Sequence, residues 1–208
     1  HPSADMLMTP DDVNTQVIEE SDIFHFGSIT MIHEPSKSAT LKAVQYARDA
    51  GKFISYDPNL RLPLWDSEAD AKAGMLEGFD YANLVKISEE ELEFLTGGTD
   101  VNPLWRDSIE MICVTYGHNG AVLHLKDGKT YKHNGYLVRA VDTTGAGDSF
   151  IAGILIGILD HPEDYQDHLV DILDFATGIG ALTTRQKGAI PSLPSMEQVK
   201  AFLANHSN

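Results

Sequence analysis

"DTTGAGDSF", residues 142–150, runs directly into the apolar stretch "IAGILIGIL" of residues 151–159. The second stretch has the length and spacing of a buried helix. The first places Gly145, Ala146 and Gly147 where that helix begins. Small residues let a backbone turn tightly and bring its N–H groups close to a ligand. A helix start carries unpaired N–H groups and the positive end of the helix dipole, so it attracts anions. A carboxylate repels a phosphate, so Asp148 at this point serves some purpose other than grip. Two readings are open. An acid in the first turn can merely complement the dipole, which for a lone aspartate is the commoner case. Alternatively, Gly145, Ala146 and Gly147 form a hole for developing negative charge, while Asp148 takes the proton of an attacking hydroxyl.

Upstream of this point strands and helices alternate. Segments 21–27, 52–58, 82–88 and 110–117 read as strands, and 35–51, 68–79 and 89–97 read as helices. The 35–51 helix carries apolar Leu41, Val44 and Ala47 and stops at Gly51. Residues 120–133 read as a hairpin turning at Asp127-Gly128, and 135–142 extend its β character. Helices are expected at 146–159, 164–184 and 195–206. This alternation predicts an α/β fold with a mostly parallel central sheet and helices on both faces. Such sheets bind ligands beyond the carboxyl ends of their strands. The loops in that position are "DPNLRLPLW", "SEEE", "YGHNG" and "DTTGAGD".

Composition narrows the function. The 208 residues carry a formal charge of −16, which disfavours nucleic acid as a partner, because phosphate backbones demand basic patches. A nucleotide remains compatible, since backbone N–H groups and one or two cations hold a phosphate locally. No apolar run reaches the roughly 18 residues of a membrane span, and the first ten residues lack the order of a signal peptide. The single cysteine, Cys113, lies in "MICVTY" and reads as a buried reduced thiol. The nine histidines show no HxxxH spacing, which argues against a structural metal site. Neither GxxxxGK[ST] nor GxGxxG after a first strand occurs. Trp65 and Trp105 read as packing residues, and His25 as a packed strand residue.

Four segments together resemble the ribokinase-type sugar kinases of the PfkB family. "VDTTGAGDSFIAGIL" is similar to the family's anion-hole-plus-base motif, "VTYGHNGAVL" to its "VTxGxxGA" turn, "VKISEEELEFLTG" to its strand and acidic helix, and "TTRQKGAIPSLP" to its C-terminal "GAxPSxP" loop. Within the family, "FHFGSI" and "DPNLRLPLW" look most like fructokinases.

The resemblance implies a ribokinase-like three-layer α/β/α fold and transfer of phosphate from ATP to a sugar hydroxyl, D-fructose to fructose 6-phosphate foremost. It makes Asp148 the base and Gly145, Ala146 and Gly147 the anion hole. It places Lys86, Ser88, Thr115, Gly117, Gly120 and Thr177 along the nucleotide, and Asn59 and Arg61 on the phosphate or sugar side. Glu91 would order magnesium waters; three residues before it the family usually carries asparagine, and this chain has Ser88. Asp142, Thr144, Thr183, Gln186, Gly188 and Ser192 fall at positions of a potassium site in related kinases. The implied cofactors are thus ATP and Mg2+, with K+ as a further one.

Plainer readings accompany these: a surface ion pair for Arg61, a solvated helix face for Glu91, and simple turns for Gly117 and Gly120. Residues 1–20 supply neither the family's diglycine sugar motif nor its lid strands. The chain therefore reads as residues 1–208 of the C-terminal part of a single kinase domain, truncated at the N-terminus and lacking the lid. That reading predicts weak or no turnover by the fragment and self-association through an exposed sheet edge. The expected partners are a small-molecule sugar and ATP, with neither nucleic acid nor membrane, in the cytoplasm or in a plastid if the source is a plant. Alternatives are a kinase for 2-keto-3-deoxygluconate, ribose or a nucleoside, and a non-catalytic kinase-like binding protein.

Overall fold

The structure, a computed structural model, describes residues 4–206. The chain divides into two compact units. One comprises residues up to 114 together with Leu125–Gly128, and the other comprises Thr115–His124 together with residues from 129 onward.

In the first unit, helix α1 (Thr15–Glu19) precedes strand β1 (Ile23–Gly27), helix α2 (Ser36–Asp49), strand β2 (Phe53–Asp57) and helix α3 (Glu68–Phe79). Strand β3 (Leu84–Ser88), helix α4 (Glu89–Thr96) and strand β4 (Met111–Thr115) follow. These strands lie in chain order β1-β2-β3-β4. The β1–β2 and β2–β3 pairs are parallel, with Phe26 opposite Tyr56 and Tyr56 opposite Val85. A helix between successive strands carries the chain back along the sheet, as parallel neighbours require.

Strand β3 buries Leu84, Val85, Lys86 and Ile87 in succession, as parallel strands covered on both faces do. Helix α2 faces β1 and β2 with Ala39, Ala43, Val44 and Ala47, a stripe of small residues that lets the helix sit close. Leu41, read as part of that stripe, lies at its margin and is only half-buried. Among the described residues no strand pairs with β1 on the side away from β2. His25 on β1 is exposed, not packed, and its Nδ1 lies 3.1 Å from the Ser55 hydroxyl. Trp65 packs on Gly74 as a loop residue should.

In the second unit, strands β5 (Ala121–Leu125) and β6 (Thr130–His133) form the antiparallel hairpin that the Asp127-Gly128 pair predicts, with Gly128 at φ 88°. The β character expected for 135–142 is absent. Gly135 turns left-handed at φ 82°, Leu137 is fully exposed, and the N–H groups of Val141 and Asp142 donate to Thr184 O at 2.7 and 3.1 Å. The backbone bonds of 141 and 142 therefore go to a loop instead of a neighbouring strand.

Helices α5 (Ala146–Asp160), α6 (Leu169–Thr183) and α7 (Met196–Ala204) complete this unit. Helix α6 starts five residues later than the expected 164, because residues 161–168 make consecutive tight turns. Helices α5 and α6 touch through the Gly153 and Gly157 face. A Cβ on Gly153 would meet Ala176 Cα at 2.7 Å, and one on Gly157 would meet Ile172 at 2.6 Å. Phe150, Ile154, Ile158, Leu169, Ile172 and Leu173 form the core around that contact. Among the described residues no helix is long and apolar enough to cross a membrane.

Candidate functional site

In the second unit the predicted residues of the 142–150 stretch converge on the start of α5. Gly145 is its N-cap, at φ 81° and ψ 0°, a left-handed conformation that an L side chain resists. A Cβ there would also lie 2.9 Å from the Ala189 methyl, so both dihedral and space demand glycine. The Ala146 N–H donates to Thr143 O at 3.1 Å, closing the turn, and the first i→i−4 bond runs from Ser149 N–H to Gly145 O at 2.9 Å. Of the first turn, the N–H groups of Gly147 and Asp148 thus remain for an anion. The Asp148 carboxylate is exposed and has neither hydrogen bond nor ion pair among the described residues.

Asp142 holds this turn. One of its oxygens accepts from the Thr144 N–H at 3.0 Å and the Thr144 hydroxyl at 2.7 Å, and the other accepts from the Gly188 N–H at 2.9 Å. The Gly188 N–H, then the two Thr144 donors, hold its carboxyl at about 2. Asp142, Thr144 and Gly188 of the predicted cation group are therefore brought together. Thr183 and Ser192 turn their hydroxyls elsewhere, to Ile179 O at 2.9 Å and Ala189 O at 2.7 Å, and Gln186 is exposed. Sequence reading missed Thr184, whose carbonyl anchors the approach to the turn, and Ala189, which seats on Gly145.

Thr115 ends β4, and Gly117 and Gly120 bracket the turn that follows, at φ 56° and 90°. A Cβ on Gly120 would run into His133 O and the Gly135 N–H, so this glycine lets two backbone segments cross, whereas Gly117 faces open space. Thr177 is buried within α6, and its hydroxyl donates to Leu173 O at 2.7 Å. Its side chain is satisfied by its own helix. A cavity of about 800 Å³ lies between β6, the 134–137 loop and the first turns of α6, and none of the predicted residues line it.

In the first unit Asp57 and Lys86 form an ion pair at 2.9 Å with side chains 6% and 9% exposed. Burial opposes the Lys86 charge, but Asp57 and Glu91 beside it prevail and raise its ammonium above the ordinary range. Glu91 is no solvated helix residue. It is 7% exposed, and its two oxygens accept from the Leu60 N–H at 2.7 Å and the Ser88 N–H at 2.8 Å. The Ser88 hydroxyl accepts from the Glu91 N–H at 3.2 Å, which completes a capping box legible as Ser-x-x-Glu.

Glu91 thus ties the 58–61 loop to the start of α4. Within that loop Asn59 has φ 55°, the one positive φ outside glycine among the described residues. Such strain is characteristic of functional loops. Arg61 is exposed and forms no ion pair among the described residues; its guanidinium donates to Leu60 O at 2.9 Å. Cys113 is fully buried, and burial pushes its thiol up to about 12.

The arrangement offers two kinds of chemistry: N–H donors beside a free carboxylate in one unit, and a buried ion pair below a strained Asn-Leu-Arg loop in the other. The comparisons with known proteins cover residues of both units. The profile described as pfkB family carbohydrate kinase matches residues 1–196. A probable fructokinase-4 from Arabidopsis thaliana is 44% identical over 210 residues, covering 98% of this chain and 64% of that protein. The chain therefore spans somewhat under two thirds of the length of the plant relatives it matches.

Among the similar solved structures are two fructokinases. The fructokinase of Vibrio cholerae O395 with fructose, ADP and calcium bound has a TM-score of 0.86 and 33% identity, covering 97% of this chain and 66% of that one. The fructokinase of Xylella fastidiosa with bound ATP has a TM-score of 0.92 and 25% identity, covering 100% of this chain and 69% of that one. The fold is accordingly the ribokinase-like α/β fold that the family resemblance implied, with the mostly parallel sheet that the alternation of strands and helices predicted.

Proposed function

The chain belongs to the pfkB family of carbohydrate kinases, and from that premise we propose that both units are parts of one kinase domain that transfers the γ-phosphoryl group of ATP to a hydroxyl of D-fructose. The observation that supports this best is the unpartnered Asp148 carboxylate, one residue beyond the glycine-rich turn that Asp142 holds. In the reaction the sugar oxygen attacks the γ-phosphorus, its proton passes to the Asp148 carboxylate, and the bond to the β-phosphate oxygen breaks to release ADP. The Gly147 and Asp148 N–H groups meet the charge that develops on the transferred group. The Ala146 N–H is engaged by Thr143, and so Ala146 serves the hole by shaping it.

Lys86, Asn59 and Arg61 supply cationic and amide groups for the phosphate or sugar side. Magnesium fits Glu91 through water only. Both of its oxygens already accept N–H bonds at a nearly buried position, and each keeps a lone pair for a bridging water. When bound, magnesium neutralises phosphate charge. Potassium would find a fixed negative charge at the Asp142–Thr144–Gly188 turn, where backbone N–H and hydroxyl donors keep the Asp142 carboxylate ionised. Phosphoryl transfer requires the acceptor to be held in line and water to be excluded. Since the chain spans 64% of its plant relatives' length, we expect these residues alone to turn over weakly.

The test is ADP release by the 208-residue chain with Mg-ATP and fructose, ribose, 2-keto-3-deoxygluconate or a nucleoside, beside Asp148→Asn and calorimetric ADP binding. ADP binding by both proteins, with weak fructose-dependent release that vanishes in Asp148→Asn, is the expected result. Failure to bind nucleotide, or equal turnover in Asp148→Asn, refutes the assignment. Turnover in the range of about 1–100 s⁻¹ ordinary for kinases refutes the weak-turnover expectation.

A further inference from the structure

We propose that His161, Asp164 and His168 form a binding site for a first-row divalent transition-metal ion of the zinc class, at the end of α5 remote from Asp148. His161 Nδ1 lies 3.7 Å from Asp164 Oδ1, and His168 Nε2 lies 3.4 Å from Asp164 Oδ2. The two imidazoles thus face different oxygens of one carboxylate, and all three donor atoms lie within 4.8 Å of one another. Helix α5 places Asp148 and Asp160 twelve residues apart, about 18 Å along its axis. The cluster is therefore separate from the phosphoryl-transfer residues of the same unit.

The backbone fixes the three positions. Asp164 N–H donates to His161 O at 3.3 Å, Asp167 N–H to Asp164 O at 2.8 Å, and His168 N–H to Tyr165 O at 3.0 Å. These turns compress a seven-residue separation that is not a recognised ligand spacing, which explains why the histidines look scattered in the sequence. At either end the segment is anchored by α5 and α6, locked together through the Gly153 and Gly157 contacts.

The donor set selects the ion. Two neutral imidazoles and a carboxylate suit zinc, nickel or copper, whereas magnesium and calcium prefer oxygen alone. Metal–ligand bonds of about 2.0–2.2 Å in a tetrahedron put donor atoms roughly 3.3 Å apart. His168 Nε2 already stands at about that distance from one Asp164 oxygen, while His161 Nδ1 lies 3.7 Å from the other, so a small turn of the carboxylate presents one oxygen to both. The imidazoles stack at 3.8 Å between centroids, 20° from parallel. Since a metal bonds in the ring plane, each ring must turn outward to close on the ion. Side-chain exposures of 40% for His161 and 34% for His168 leave room for that rotation. Three protein ligands leave a fourth position for water, and a chain of charge −16 favours cation uptake.

The experiment is a cobalt(II) titration of the tag-free 208-residue chain, read by the visible ligand-field bands of four-coordinate cobalt, followed by displacement with zinc. One ion per chain is expected, with affinity falling at least about tenfold in His161→Ala and in His168→Ala. Zinc should raise the Tm of the parent chain and leave that of the double variant unchanged. Circular dichroism confirms that the variants, altered at half-exposed loop positions, remain folded. The gentler His168→Gln serves if His168→Ala does not fold. No cobalt binding by the parent chain, or unchanged affinity in the His161→Ala/His168→Ala double variant, overturns the assignment.

Discussion

Replacing Lys86 with methionine should strand a carboxylate in the interior of the first unit. The Lys86–Asp57 pair is separated by 2.9 Å with both side chains under one-tenth exposed. Coulomb attraction at that distance is about 6 kcal/mol for an effective dielectric constant of ~20. Desolvation offsets much of this, so the pair contributes little net stability. Removing one partner is different, because it leaves Asp57 at 4% exposure without its cation. Breaking a buried pair in this way costs about 3–5 kcal/mol.

Cys113 reports the loss within the same unit. It is the only thiol, fully buried, and held up at about 12, so a disulfide reagent reaches it only when the unit opens. At about 1.4 kcal/mol per factor of ten, Lys86→Met should speed thiol modification on the order of 10²- to 10³-fold. Asp57→Asn together with Lys86→Met should return the rate to within roughly tenfold of the parent, since no unpaired charge remains. Single variants that modify within about threefold of the parent, or a double variant as fast as the product of both singles, would show that the two charges are not coupled.

Asp148→Asn should lower any fructose-dependent turnover by about 10²–10⁴-fold while changing ADP affinity by less than about threefold, which separates a base from a binding group. Asp142 is held at about 2, so its tie to Gly188 persists below the ordinary carboxylate range and is lost as pH falls through that value. The Gly188 amide shift should titrate with a midpoint near 2, and a midpoint near the usual ~3.9 would refute the tie. Gly120→Ala should destabilise by about 2–5 kcal/mol, from strain at φ 90° and collision with the 133–135 backbone. Gly117→Asn, in open space at φ 56°, should cost under ~1 kcal/mol, both variants being read by urea titration against the parent. Among the described residues β1 is an edge strand, and that edge should drive weak self-association, seen as concentration-dependent sedimentation and reduced by Phe24→Lys; a concentration-independent monomer would count against it.

Much of the molecule was legible because it is local. Strand and helix periodicity, the Asp127-Gly128 turn and the helix start at Gly145 all depend on residues within four positions of one another. So does the exposed carboxylate of Asp148, which needs only a place in a first turn. Where local rules misled, a distant partner had intervened. Residues 135–142 have strand-like composition, but their 141–142 end is claimed by the Thr184 carbonyl.

Tertiary structure alone decided the rest. Lys86 meets Asp57 across 29 positions, Glu91 reaches back 31 to Leu60, and Asp142 reaches forward 46 to Gly188. A charged residue in isolation reads as solvated, since nothing nearby in sequence says that the chain will return to bury it. Its role is fixed only when folding removes water and supplies the N–H group or counter-charge that the buried carboxylate or ammonium then requires.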